Sequence, residues 1–163
     1  MKKQLLILGL LVFVAGSIVS GQDKHPGDEK HVVVKPDMVN WGPAPPALPP
    51  GAQAAVLVGD PTKSGVPYVL RVKMPDGYQV PAHWHPCDEN VTVLKGTLMI
   101  GTGEKLDASK AEEMPAGSYM RMPKTMRHFA IAKGETIIQL HGTEPFTITY
   151  VNPSDDPRKK EEK

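Results

Sequence analysis

The sequence predicts an all-β domain closed as a sandwich or barrel, and three observations carry that expectation. Short runs rich in Val, Ile and Thr recur at close intervals from residue 54 onward, several of them alternating apolar with polar. The 17 prolines and 15 glycines between them are what many tight turns require. Beyond the first 21 residues, no stretch carries the pattern of a helix longer than one turn. The 163 residues suffice for one domain and are too few for two comfortable ones. Formal net charge is +1, or −1 once Lys2 and Lys3 leave with a leader, and neither sign nor clustering suggests a nucleic-acid surface.

Residues 1–21 read as a secretory signal peptide. Lys2 and Lys3 form its charged start, Leu5 to Ala15 an apolar core too short to span a bilayer comfortably, and Ser17, Ser20 and Gly21 the small residues before Gln22. An uncleaved anchor is the alternative. The mature protein is expected to be exported, periplasmic or secreted, and free of the membrane. Residues 22–53 form a flexible, proline-rich lead-in with at most one short strand at Val32–Val34. The proline density between Trp41 and Gly51 excludes a helix and favours extended backbone. That segment is either a ligand for a proline-recognition domain or a strap lying along the barrel with Trp41 and Leu48 packed down.

Residues 54–152 carry eight or nine expected strands. Ala54–Val58 ends at Gly59-Asp60-Pro61, and Tyr68–Met74 places Leu70, Val72 and Met74 on one face. Pro75-Asp76-Gly77 is a turn. Val91–Leu94 and Thr97–Ile100 read as a hairpin closed at Lys95-Gly96, and residues 101–113 as a loop. Ser118–Met122 follows, then Arg127–Ala132 returning through Lys133-Gly134 as Thr136–His141, then Thr147–Asn152. Residues 153–163 form a charged tail expected to be disordered. Cys87, the single cysteine, permits no intrachain disulfide and reads as an ordinary loop thiol.

Chemistry concentrates between Gly77 and Gly96. On a strand His83 and His85 point to one face, about 6–7 Å apart, and both can reach one ion at about 2.1 Å. Trp84 then faces away from them and reads as packing. Glu89 joins them only if the chain turns between, and Pro86-Cys87-Asp88 has turn composition. His128 adds a fourth candidate from a second turn-flanked strand. The competing reading is a set of structural histidines beside a solvated carboxylate.

The run from Gly77 to Gly96 matches G-x5-H-x-H-x3-E-x6-G at every specified position, and so resembles the first motif of the cupin superfamily. Gly117, Pro123 and His128 stand at the spacing of the second motif, G-x5-P-x-G-x2-H-x3-N. Thr125 replaces its inner glycine and Ala132 its asparagine; neither is a ligand position. The ending Tyr150-Val-Asn-Pro-Ser-Asp-Asp-Pro-Arg158 is similar to small exported bacterial cupins. The resemblance implies a jelly-roll β-barrel with one divalent metal (manganese, iron, nickel or zinc) on His83, His85, Glu89 and His128. Such barrels commonly pair, which implies a homodimer.

Outside both motifs, a two-residue turn at Lys133-Gly134 would set residue 128 against residue 139 and put His141 on the face of His128. His141 is then a candidate proton carrier, and Gln139 a candidate hydrogen-bonding partner for substrate; a one-residue shift would turn both outward. Met74, Met99, Met120 and Met122 are candidate pocket walls or plain core, and Tyr68, Tyr119 and Arg121 candidate anion holders. The function expected is a metal-dependent enzyme on a small polar or carboxylate-bearing molecule: an oxygenase, decarboxylase, isomerase or lyase. A non-enzymatic metal-containing binding or sensing module, or a structural-zinc barrel, is the alternative.

Overall fold

Period-two burial sets the strands. In β3 (Tyr68–Met74) the even-numbered residues are buried and the odd-numbered half-buried, so one face is core and the other meets solvent. The computed structural model describes residues 31–159. The predicted signal peptide therefore lies outside the described residues, as do residues 160–163. Among the described residues no helix is long and apolar enough to cross a membrane. Around β3 stand β1 (Gly42–Pro43), β2 (Gln53–Val58), β4 (Gln79–Trp84), β5 (Glu89–Thr102), β6 (Glu112–Pro115), β7 (Tyr119–Met122), β8 (His128–Gly142) and β9 (Thr149–Tyr150).

The two long strands, β5 and β8, organise the rest. They pair antiparallel along their whole length, from Asn90 opposite His141 to Thr102 opposite His128. Both bend midway. Gly96 and Gly134 adopt φ of +73° and +72°, and the register slips between Val93 and Thr97. A side chain on Gly96 would meet the Glu135 carbonyl oxygen at 2.4 Å, so the corner admits only glycine. The predicted hairpins at Lys95-Gly96 and Lys133-Gly134 therefore do not form. The two glycines mark facing bulges in continuous strands, because the ladder resumes on both sides of the corner.

The bend divides one ladder into two curled halves. β7, the first half of β5, the second half of β8, β3, β2 and β1 lie side by side. β6, the second half of β5, the first half of β8, β4 and β9 form the other half. Leu70, Val91, Ile138 and Leu140 from the first half enclose one core with Val80, Leu98 and Tyr150 from the second. This is a jelly-roll arrangement, the fold class the sequence predicts. β6 escaped the sequence reading because Glu112 and Glu113 are exposed and give it no apolar alternation.

Both ends depart from expectation. The sheet begins at Gly42, before residue 54, and no strand forms at Val32–Val34. The proline-rich segment does lie against the barrel: Leu48 packs on the core, and Lys73 Nζ stands 4.6 Å from the Trp41 ring. Tyr150 Oη donates to the Ala47 carbonyl at 2.8 Å, and Tyr78 Oη donates to that of Pro49. The predicted disordered tail is ordered through residue 159, with 3-10 turns at Pro153–Asp155 and Pro157–Lys159. Its charge pattern concealed the reason, which is a two-pronged Asp156–Arg158 ion pair at 2.7 Å per contact.

Candidate metal centre

Adjacent strands bring the histidines together. His83 on β4 lies directly opposite His128 on β8, with ring centroids 4.3 Å apart. A bulge between Val80 and His83 lets both residues face the interior although they are three positions apart. Two residues on, His85 shares the face of His83, and Trp84 between them points away, as alternation predicts. The chain turns through Pro86-Cys87-Asp88 and enters β5 at Glu89. Two hydrogen bonds lock that turn to the loop before β8: Thr125 N–H to the His85 carbonyl at 2.8 Å, and Lys124 N–H to Asp88 Oδ1 at 2.9 Å.

Each imidazole is oriented by a backbone carbonyl. Nδ1 of His83, His85 and His128 lies 2.7, 2.8 and 2.9 Å from the carbonyl oxygens of Pro81, Thr147 and Met126. A carbonyl only accepts, so each Nδ1 carries the proton and each neutral ring keeps its lone pair on Nε2. The three histidines each offer a ring nitrogen within 4.8 Å of the other two. Glu89 Oε2 approaches Nε2 of His128 to 3.1 Å and that of His85 to 3.6 Å. All four side chains are buried, from 2% exposed at His85 and His128 to 8% at Glu89.

This is the donor set anticipated from the two motifs, on the barrel that the motifs imply. A profile for the family described as "Domain of unknown function (DUF4437)" matches residues 31–163. The chain belongs to that family. Solved structures that share the fold include a cupin. The polyketide cyclase RemF of Streptomyces resistomycificus is similar at TM-score 0.61 and 15% identity, over 82% of this chain and 94% of that one. An acetylacetone dioxygenase-like protein of Methylibium petroleiphilum PM1 has TM-score 0.59 and 22% identity, over 79% and 86%. An RmlC-like cupin of Shewanella frigidimarina has TM-score 0.53 and 12% identity, over 72% and 92%. Curated proteins gave no match.

The residues of this centre fit a divalent cation, as its unpartnered atoms show. His85 Nε2 and Glu89 Oε2 are buried without a hydrogen-bond partner: with the proton of each ring on Nδ1, the Nε2 atoms that face the carboxylate bring lone pairs and no donor. A buried carboxylate among lone pairs is costly unless a positive charge joins it. The electrostatics of the cluster point the same way. Burial, then the charges of His128 and His85, pushes His83 down to about 3, and burial lowers His85. Burial also pulls on His128, but the adjacent Glu89 carboxylate and the Met126 carbonyl outweigh it and raise its value. Burial would raise Glu89, yet His128, His85 and His83 together hold it below the usual carboxylate range. Three imidazoles and a carboxylate suit a borderline transition-metal ion better than calcium or magnesium.

The centre walls a cavity of about 190 Å³. Its other walls are mostly apolar, including Val72, Met74, Ile100, Met122 and Phe146. Phe146 also stacks on His85 at 4.4 Å between centroids. Met74 and Met122 thus face the cavity, Met120 packs on the core, and Met99 pairs with Glu113 outside the cavity wall.

His141 and Gln139 need correction. Both lie on the outer face: His141 is exposed opposite Val69 and Asn90, and Gln139 accepts a 3.0 Å hydrogen bond from Arg71 Nε. Because β8 continues through Gly134 instead of reversing, residues 128 and 141 differ by an odd number along one strand and face opposite ways. Of the candidate anion holders, Tyr68 is core, while Tyr119 and Arg121 bond Asn90 and Asp88 outside. Burial pushes the half-buried Cys87 thiol up, which lowers its thiolate fraction.

Sequence reasoning missed Arg158, the sole lysine or arginine among the described residues lining the cavity. Its only signal was the family-like ending at Asp156-Pro157-Arg158.

Proposed function

We propose that this cupin is a metal-dependent enzyme whose divalent ion is held by His83, His85, Glu89 and His128. The observation that carries the reading is the pair of partnerless buried donors, His85 Nε2 and Glu89 Oε2, on residues that line the cavity. A divalent ion held there supplies a Lewis acid or an oxygen-activating centre for a bound substrate. The chain's own contributions are orientation and exclusion of water. Carbonyls of Pro81, Thr147 and Met126 aim the imidazoles, Glu89 offsets part of the ion's charge, and the apolar walls keep the site dry.

The cavity is slightly larger than the roughly 150 Å³ that accepts benzene, so the substrate is a small molecule with a largely apolar body and a polar head. Oxygenase, decarboxylase, isomerase and lyase chemistry all use such a centre. Within this reading the protein works after export, with residues 1–21 removed, and pairs as a homodimer. N-terminal sequencing and light scattering test those two points.

Metal analysis of the purified protein is expected to give one ion per chain, falling by at least half in His85→Ala. Azide is expected to perturb the spectrum of the cobalt-loaded protein. A bound ion that azide leaves unperturbed would be closed by its four protein ligands, and the structural-zinc alternative would replace the enzyme.

A further inference from the structure

We infer that Arg158 is the anion anchor of the cavity and makes this cupin selective for small monocarboxylates with an apolar body. The functional meaning rests on the metal-centre reading; the geometry of the anchor stands apart from it.

Arg158 reaches the cavity from the C-terminal 3-10 turn, Pro157–Lys159, whose Pro157 is buried. Its guanidinium is set before any ligand arrives. Nε and Nη2 donate to Asp156 Oδ1 and Oδ2, each at 2.7 Å, and Nη2 donates again to the Ile148 carbonyl at 3.2 Å. Those bonds use three of five N–H donors. Both protons on Nη1 are left without a partner among the described residues. The side chain is 43% exposed, so Arg158 lines the cavity while staying open to solvent.

Position links this group to the metal centre. The Ile148 carbonyl that holds Arg158 is one residue from the Thr147 carbonyl that aims His85. The anion end and the metal end of the cavity therefore hang on consecutive peptides of one segment. Between them the walls are apolar, and no second lysine or arginine among the described residues lines them. An arginine fixed by a carboxylate and a carbonyl, with one nitrogen free, holds a carboxylate at little ordering cost. The cavity's volume admits about six to eight non-hydrogen atoms, which excludes bulky phosphate esters.

The test uses the full-length purified protein and hexanoate as probe, with hexan-1-ol as its neutral counterpart, followed by calorimetry. Hexanoate is expected to bind, and Arg158→Gln to weaken it about ten- to hundredfold, the range of one charge-assisted hydrogen bond. Hexanol affinity is expected to stay unchanged, and Arg158→Lys to fall between. Equal weakening of both ligands, or of neither, would overturn the assignment, as would no hexanoate binding to the wild type. A second measurement needs no variant: hexanoate, and not hexanol, is expected to slow phenylglyoxal labelling of Arg158 in the wild type. Equal labelling overturns the assignment. Repeating the titration after chelator treatment separates the two ideas. Absence of metal from the wild type counts against the metal centre alone, and loss of the Arg158 effect counts against the anchor alone.

Discussion

Thr125 has φ of +65°, the one non-glycine residue with positive φ among those described. A β-branched residue there is strained, yet its N–H must still reach the His85 carbonyl, so the loop that closes the metal centre holds the strained form. Thr125→Gly removes the Cβ clash at some entropic cost and is expected to stabilise the fold by about 0.5–1 kcal/mol, read as a higher denaturant midpoint at unchanged slope. His141→Ala is the opposite kind of test. Exposed on the outer face, it is expected to leave metal content unchanged and stability within about 0.5 kcal/mol. Loss of metal from that variant would contradict its placement. At this scale the sequence was informative about which four side chains converge and misleading about His141. Ligand type and spacing are local properties, whereas the direction of His141 depends on how β8 passes its corner.

At the scale of elements, the β5–β8 corner decides the architecture. Gly96→Ala places a methyl group against the Glu135 carbonyl and forces a left-handed conformation on alanine. The expected loss is roughly 2–3 kcal/mol, measured by thermal or denaturant unfolding. Gly134 has the same φ and open space around it, so Gly134→Ala is expected to cost less, about 1 kcal/mol. The C-terminal clasp supplies a pH test. Hydrogen bonds from Arg158 hold the Asp156 carboxyl below its usual 3.8. Since the folded value is the lower one, the clasp's contribution is complete above 3.8 and disappears as pH falls through that lower value. Hydrogen-exchange protection at residues 153–159, taken relative to the intrinsic rate at each pH, is expected to fall only in that acid range, and in Asp156→Asn at every pH. Acid-independent protection in the wild type would show that the clasp does not order the tail.

For the whole molecule, ligation and folding are linked. His83 sits on β4 and His85 just past its end, Glu89 opens β5, and His128 opens β8. An ion bridging them binds the folded chain and has no equivalent site in the unfolded one. At a hundredfold excess over its dissociation constant, it is expected to add about 2.7 kcal/mol and raise Tm by about 5–10 °C. Chelation should reverse that shift, and His128→Ala should abolish it. A melting temperature indifferent to metal and chelator alike would leave the four side chains without their common ion.

By itself the sequence determined the fold class, the four candidate ligands and the turn that joins Glu89 to the two histidines. Each is written in short-range pattern: alternation, turn composition and motif spacing. Only the tertiary structure decided that Gly96 and Gly134 are facing corners instead of hairpin tips, that Gln139 and His141 therefore look outward, and that Arg158 reaches the cavity. Those outcomes depend on which strand lies beside which, and a bend and a reversal use the same glycine. The partner that orders Arg158 is two residues away, but the carbonyl that also holds it belongs to Ile148, ten residues back in the loop before β9.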